Sequence, residues 1–133
     1  MRVFRLSLAV LAALAAASVA VSYAAAPAPT IVGTAKFPIN VKAGDYDLIN
    51  QVIDLPPGGT VPKHKHGGPV VVQVLVGTLT VTDANGDKTV SSGQMFTENP
   101  GAVHWATNKG SVPVRVSVSY LIPKGADVIT FLK

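Results

Sequence analysis

Beyond Pro29 the apolar residues of this chain fall into short β-branched runs, broken by Gly, Pro, Asn and Asp at intervals that suit strands. No long segment carries a helical period. The runs predict strands over residues 36–41, 48–55, 70–76, 79–82, 88–90, 95–97, 104–107, 112–122 and 128–132. Asn85-Gly86 lies between two of them and is a hairpin signal, because the tightest hairpin turn needs positive φ at its central positions. Pro56-Pro57-Gly58-Gly59 and Asn99-Pro100-Gly101 read as turns. No repeat or linker interrupts this stretch, so it reads as one all-β domain.

Two runs indicate which faces are buried. In 112–122, Val112, Val114, Val116, Val118, Tyr120 and Ile122 alternate with Pro113, Arg115, Ser117 and Ser119, which puts one face in a core and one in water. The run 70–76 is apolar on both faces apart from Gln73, which predicts cover on both sides by a second sheet or a dimer partner.

The N-terminal region has a different character. Arg2 and Arg5 precede an uncharged apolar run from Leu6 to about Val21, and the small residues Ser22 to Ala26 follow, ahead of Pro27. This is the plan of a secretory signal peptide over residues 1–25, cleaved after Ala24 or Ala25; an uncleaved membrane anchor is the alternative. Residues 26–35 form a short Pro/Ala-rich leader and 36–133 the folded domain. Export implies a periplasmic or secreted protein, with no membrane attachment once the signal is gone. Loss of Arg2 and Arg5 takes the formal charge from +4 to about +2. The remaining Lys are scattered and not interleaved with aromatics, which argues against nucleic acid as a partner. With no Cys, disulfides, thiol nucleophiles and Cys-ligated zinc are excluded, and stability falls to the core, a metal or oligomerisation.

The chain has three histidines. On an extended segment His64 and His66 leave the same face with Cα atoms ~6.5–7 Å apart, and two imidazoles at that spacing can share one ion at ~2.0–2.1 Å. Lys63 and Lys65 then point to solvent. His104 has to come from another strand, after the Pro100-Gly101 turn. Trp105, next in sequence, points away into packing or an interface, and Asn108 fixes a turn. The Asp residues sit at turns or strand ends without a paired-carboxylate arrangement.

Gly58, His64, His66 and Gly77 at their observed intervals, followed by Gly93, Pro100, Gly101, His104 and Asn108, resemble the two motifs of the cupin superfamily. The likeness covers about residues 49–122, with Pro100 and Gly101 adjacent and one extra residue before them. It implies a double-stranded β-helix, a jelly-roll barrel, whose histidines hold one divalent transition metal: Fe(II) or Mn(II) by preference, with Zn, Ni or Cu as alternatives. The position at which most metal-binding members carry a Glu is Val70, which cannot coordinate. Glu98, the only glutamate, lies in the second motif, and small quercetin-dioxygenase-like cupins with a Glu-x-Pro-Gly segment look similar. There such a residue approaches the metal or holds a ligating His; a solvated turn residue is the equal alternative. Val70 and Val72 are expected to line the cavity. Gln73 is added to them, although its parity sets it on the face opposite Val70.

Three functions follow from this. The likeness implies a metal-dependent oxygenase acting on a small organic molecule. A non-catalytic exported module that holds a metal or a hydrophobic ligand is the second reading, and a barrel with vestigial histidines the third. A homodimer is a further expectation from the two-sided run.

Overall fold

In the computed structural model, which describes residues 28–133, the alternating runs pair into two antiparallel sheets facing one another. The signal-peptide reading lies outside the described residues. Strands β1 (Tyr46–Leu55), β2 (Thr60–Lys65), β3 (Val70–Val76), β4 (Thr78–Asp83), β5 (Gly86–Ser91), β6 (Met95–Glu98), β7 (His104–Thr107), β8 (Val114–Pro123) and β9 (Thr130–Phe131) follow in chain order. One sheet runs β1-β8-β3-β6 and the other β5-β4-β7-β2-β9. Consecutive strands therefore alternate between sheets for much of the chain, which is the winding of a double-stranded β-helix. Among the described residues there is no helix.

The core lies between the sheets. Val114, Val116, Val118, Tyr120 and Ile122 of β8 are buried, facing Val70, Val72 and Val74 of β3 on the same inner surface. Leu55 of β1, Phe96 of β6 and Leu79, Val81, Val90 and Ala106 of the opposite sheet complete it. Outward positions of β8 are polar: Arg115 forms a two-pronged pair with Asp54 at 2.6 and 2.7 Å, and the Asn50 amide donates to Ser117 and Ser119. The hairpin expected at Asn85-Gly86 forms and closes β4 on β5, but its turn residues are Ala84 and Asn85, Gly86 alone takes positive φ, at 104°, and the Asn85 amide is held by the Asp83 carboxylate.

Four expectations change. Residues 36–41 form no strand: Pro38 removes a ladder donor in the middle of the run, and nothing pairs with it. Val112 is 57 % exposed and does not continue the buried face of β8, because Pro113 follows it and its carbonyl is taken by the Asn108 side chain. On β3 the inner face is closed, but Val71 and Gln73 are half-buried and Leu75 and Val76 exposed, so one chain covers the second face only in part. Conversely, β2 is a strand despite its Pro62 and two Lys. It is held by β7 on one side and β9 on the other, with a register shift between Val61 and His64 that absorbs the proline.

Candidate metal centre

The register of β2 on β7 makes His64 and His104 direct cross-strand partners, and their rings lie 4.3 Å apart between centroids. His66, just past the end of β2, brings its ring to 4.8 Å from that of His64 and 5.2 Å from that of His104. All three are buried, and one ring nitrogen from each lies within 4.8 Å of the others. The loops that carry these residues are tied together. Gly101, at φ 74°, donates its amide to the His66 carbonyl at 2.9 Å, so the turn before His104 docks onto the segment bearing His66. Gly68 lies so close to the Leu121 carbonyl that a Cβ there would meet backbone oxygen.

Each histidine has a backbone carbonyl on Nδ1. Pro62 O lies 2.6 Å from His64 Nδ1, Val128 O lies 2.7 Å from His66 Nδ1, and Ala102 O lies 3.0 Å from His104 Nδ1. A carbonyl can only accept, so the Nδ1 atoms are assigned as the N–H donors. The three Nε2 atoms are then left as lone-pair donors. A hydrogen bond to the other ring nitrogen is how proteins orient ligating histidines.

Glu98 sits against two of these nitrogens. Its Oε2 is 3.2 Å from His66 Nε2 and its Oε1 3.2 Å from His104 Nε2, with the carboxylate largely buried. The contact to His104 lacks hydrogen-bond geometry, and that Nε2 is buried without a hydrogen-bond partner. Carboxylate oxygens and imidazole lone pairs facing each other in a buried space require a cation between them, whether a proton on the ring or a metal. Burial pushes the Glu98 carboxyl up, but the His104 and His66 imidazoles outweigh it and hold it at about 2. Burial lowers His104, and the Glu98 carboxylate more than reverses this, leaving it raised. His64, farther from that charge, is lowered by burial. Three imidazoles, one carboxylate and an orphaned buried nitrogen fit a divalent transition metal, for which mixed N and O donors are usual.

Two cavities meet at this cluster. The larger, of about 440 Å³, reaches His64, His66 and Glu98 and is walled by apolar side chains from both sheets and from the Val128–Phe131 segment. The smaller, of about 140 Å³, lies on the other side of Glu98 and includes His104, Lys88 and Asp83. Glu98 and Phe96 form the partition between them.

A family profile described as Cupin domain matches residues 51–122, more than half of the chain. The chain belongs to the cupins. Among solved structures, this cupin is similar to an uncharacterized conserved protein with a double-stranded β-helix domain from Klebsiella pneumoniae, at 25 % identity and a TM-score of 0.57 over 68 % of this chain and 79 % of that one. An oxalate oxidase in complex with the substrate analogue glycolate is matched at 24 % identity and a TM-score of 0.56, over 64 % of this chain and 46 % of the oxidase. A sugar phosphate isomerase of the cupin superfamily from Silicibacter pomeroyi follows at 21 % identity and 0.50, over 54 % of this chain and 48 % of that one. No curated protein matches.

Of the residues read from the cupin's sequence, His64, His66, His104 and Glu98 come together at one point. Val72 lines the larger cavity, but Val70 does not: it is fully buried in the packing, directly across the ladder from Glu98. Gln73 pairs with Ser117 and Met95 on the opposite face of β3 from that cavity, as its parity dictates. Trp105 turns outward, where the Lys63 ammonium sits 5.1 Å from its ring centroid. Asn108, fully buried, donates to the Leu55 and Val112 carbonyls and accepts from the Gly110 amide, so its role is to fix the turn. Two features escaped the sequence. Tyr120 lines the cavity with its ring 5.4 Å from that of His66, and the only cue was that it is the sole polar member of the inward set of β8. The Val128 carbonyl that orients His66 carries no sequence signal at all.

Proposed function

We propose that this cupin binds one divalent transition metal through His64, His66, His104 and Glu98, and that it is a non-haem Fe(II)- or Mn(II)-dependent oxygenase acting on a small organic molecule. The observation that carries the reading is the meeting of carbonyl-oriented imidazoles with a buried carboxylate, 3.2 Å from two of their nitrogens. Fe(II) or Mn(II) held there would supply Lewis acidity and redox chemistry beside the cavity. Glu98 offsets part of the positive charge. Its partner histidines stay fixed in one tautomer by their carbonyls, and the apolar walls exclude water from the reacting side.

The solved cupins named above share the fold at 21–25 % identity. A fold hosts many chemistries, so the kind of reaction has to be read from the site. Export as a periplasmic or secreted protein is part of the same proposal, resting on the basic-then-apolar N-terminal pattern, and N-terminal sequencing of the mature protein tests it.

One observation favours a non-catalytic ligand-binding module instead. Among the described residues Glu98 is the only acidic side chain lining the larger cavity, and its place among the proposed ligands leaves no separate base there. Oxygen uptake separates the two readings. The iron-loaded protein should consume O₂ with at least one member of a panel of phenols, thiols and diketones, and His104→Ala should abolish it. Full metal occupancy with no uptake across the panel would support the binding module.

A further inference from the structure

The walls of the larger cavity bear on the ligand. Among the described residues, Gln51, Tyr120 and the cluster itself supply its only polar side chains, and no Lys, Arg or Asp lines it. Ile49 and Ile53 of β1, Val72 of β3, Val116 and Val118 of β8 and Phe96 of β6 make its apolar bulk. Its volume, about 440 Å³, lies within the range of small-molecule sites. Tyr120 is buried, its hydroxyl makes no hydrogen bond among the described residues, and its ring sits beside His66.

We propose that the cavity selects a neutral, largely apolar ligand that presents one oxygen-bearing edge to the histidines and to the Tyr120 hydroxyl. A charged group carried away from the cluster would lie against apolar walls with no cation to meet it, which is unfavourable. A phosphorylated sugar or an extended dicarboxylate is disfavoured on that ground, and a polyol would leave most of its hydroxyls unpaired. A dianion as small as oxalate would leave most of the space unfilled. The sequence reading reached only a hydrophobic ligand for the binding module; the missing cations and the placement of Tyr120 add its neutrality and its single oxygen-bearing edge. Gln51, exposed at the rim on β1, marks the side from which such a ligand enters.

This inference rests on the metal-binding reading for the polar edge and on the cavity alone for the apolar body, so two ligand series test the two parts separately. The first consists of acetohydroxamate, 2-naphthohydroxamate and the hydroxamate of succinic acid, titrated against the full chain loaded with Co(II) and followed by its visible absorption. The second consists of acetamide and 2-naphthamide, titrated calorimetrically against the metal-free chain. The expected result is that the naphthyl compounds bind about 10–100-fold more tightly than the acetyl ones in both series, as burial of a bicyclic ring should give. The succinic compound should gain nothing over acetohydroxamate. Tyr120→Phe should weaken the naphthohydroxamate several-fold with cobalt content unchanged.

A tail preference in the amide series without cobalt binding would remove the metal reading and keep the ligand class. Equal affinity for both tails in either series, or tightest binding by the succinic compound, would overturn the ligand class whatever the metal content.

Discussion

Val70 and Glu98 are Cα partners across the β3–β6 ladder. Val70 occupies the position at which the motif resemblance calls for a glutamate. The residue facing it on the next strand is the glutamate whose carboxylate lies between His66 and His104. Directly paired residues of an antiparallel ladder share a face, with Cβ atoms ~4.5–5.5 Å apart. A carboxylate can therefore reach the same point from either strand.

The exchange is testable in both directions. Glu98→Val should lower metal affinity about 10–100-fold, the usual cost of losing a carboxylate at or next to a ligand. Val70→Glu in the Glu98→Val background should recover part of that loss, while Val70→Glu alone should destabilise the fold by crowding two buried carboxylates. Elemental analysis after dialysis, with chelator competition, reads all three. No recovery in the double variant would mean that the facing position is not equivalent.

His104→Ala removes the nitrogen left without a partner and one side of the Glu98 contact. Metal should fall well below one per chain, and the stabilisation by added metal should vanish. In the parent chain that stabilisation should be about 2.7 kcal/mol at a free metal concentration of 100 Kd. Thermal melts with and without metal give the comparison.

Without metal, the Glu98–His104 pair makes stability depend on pH in a defined window. Glu98 is depressed from 4.5 to about 2, so its contribution is present above about pH 4.5 and is lost as pH falls towards 2. His104 is raised above 6.5, so its contribution is complete below that value and is lost as pH rises through its folded value. The urea midpoint of the metal-free parent should therefore exceed that of Glu98→Gln most between about pH 4.5 and 6.5. A difference that stays flat from acid to alkaline pH would contradict the pair. Metal affinity runs the other way, falling on acidification as His104 takes up a proton.

Gly68→Ala should cost on the order of 3 kcal/mol, since its Cβ would meet the Leu121 carbonyl and neither backbone can yield freely. The segment just after His66 would be displaced, so metal affinity should drop together with the denaturant midpoint.

Asn108→Ala should destabilise by about 2–3 kcal/mol by stranding the Leu55 and Val112 carbonyls and the Gly110 amide. Asn108 touches none of the histidines through its side chain, so metal stoichiometry in the folded fraction should be unchanged. Urea titration and elemental analysis separate this outcome from that of Gly68→Ala.

The sequence by itself determined the β architecture, the inner face of β8 and the Asn85-Gly86 hairpin, because alternation and turn chemistry are local. It also singled out the three histidines that meet in the barrel, through the motif resemblance that their spacing and the turn before His104 carry. Pairing decided the rest. The strand expected at 36–41 found no partner, while β2 formed only because β7 and β9 lie on either side of it. The sequence left Glu98 open between a residue of the metal site and a turn residue; the β3–β6 register sets it opposite Val70 and beside His66 and His104. The carbonyls that orient the imidazoles, the Tyr120 hydroxyl in the cavity and the absence of cations from its walls depend on which residues from distant strands share an interior, and only the tertiary structure specifies that.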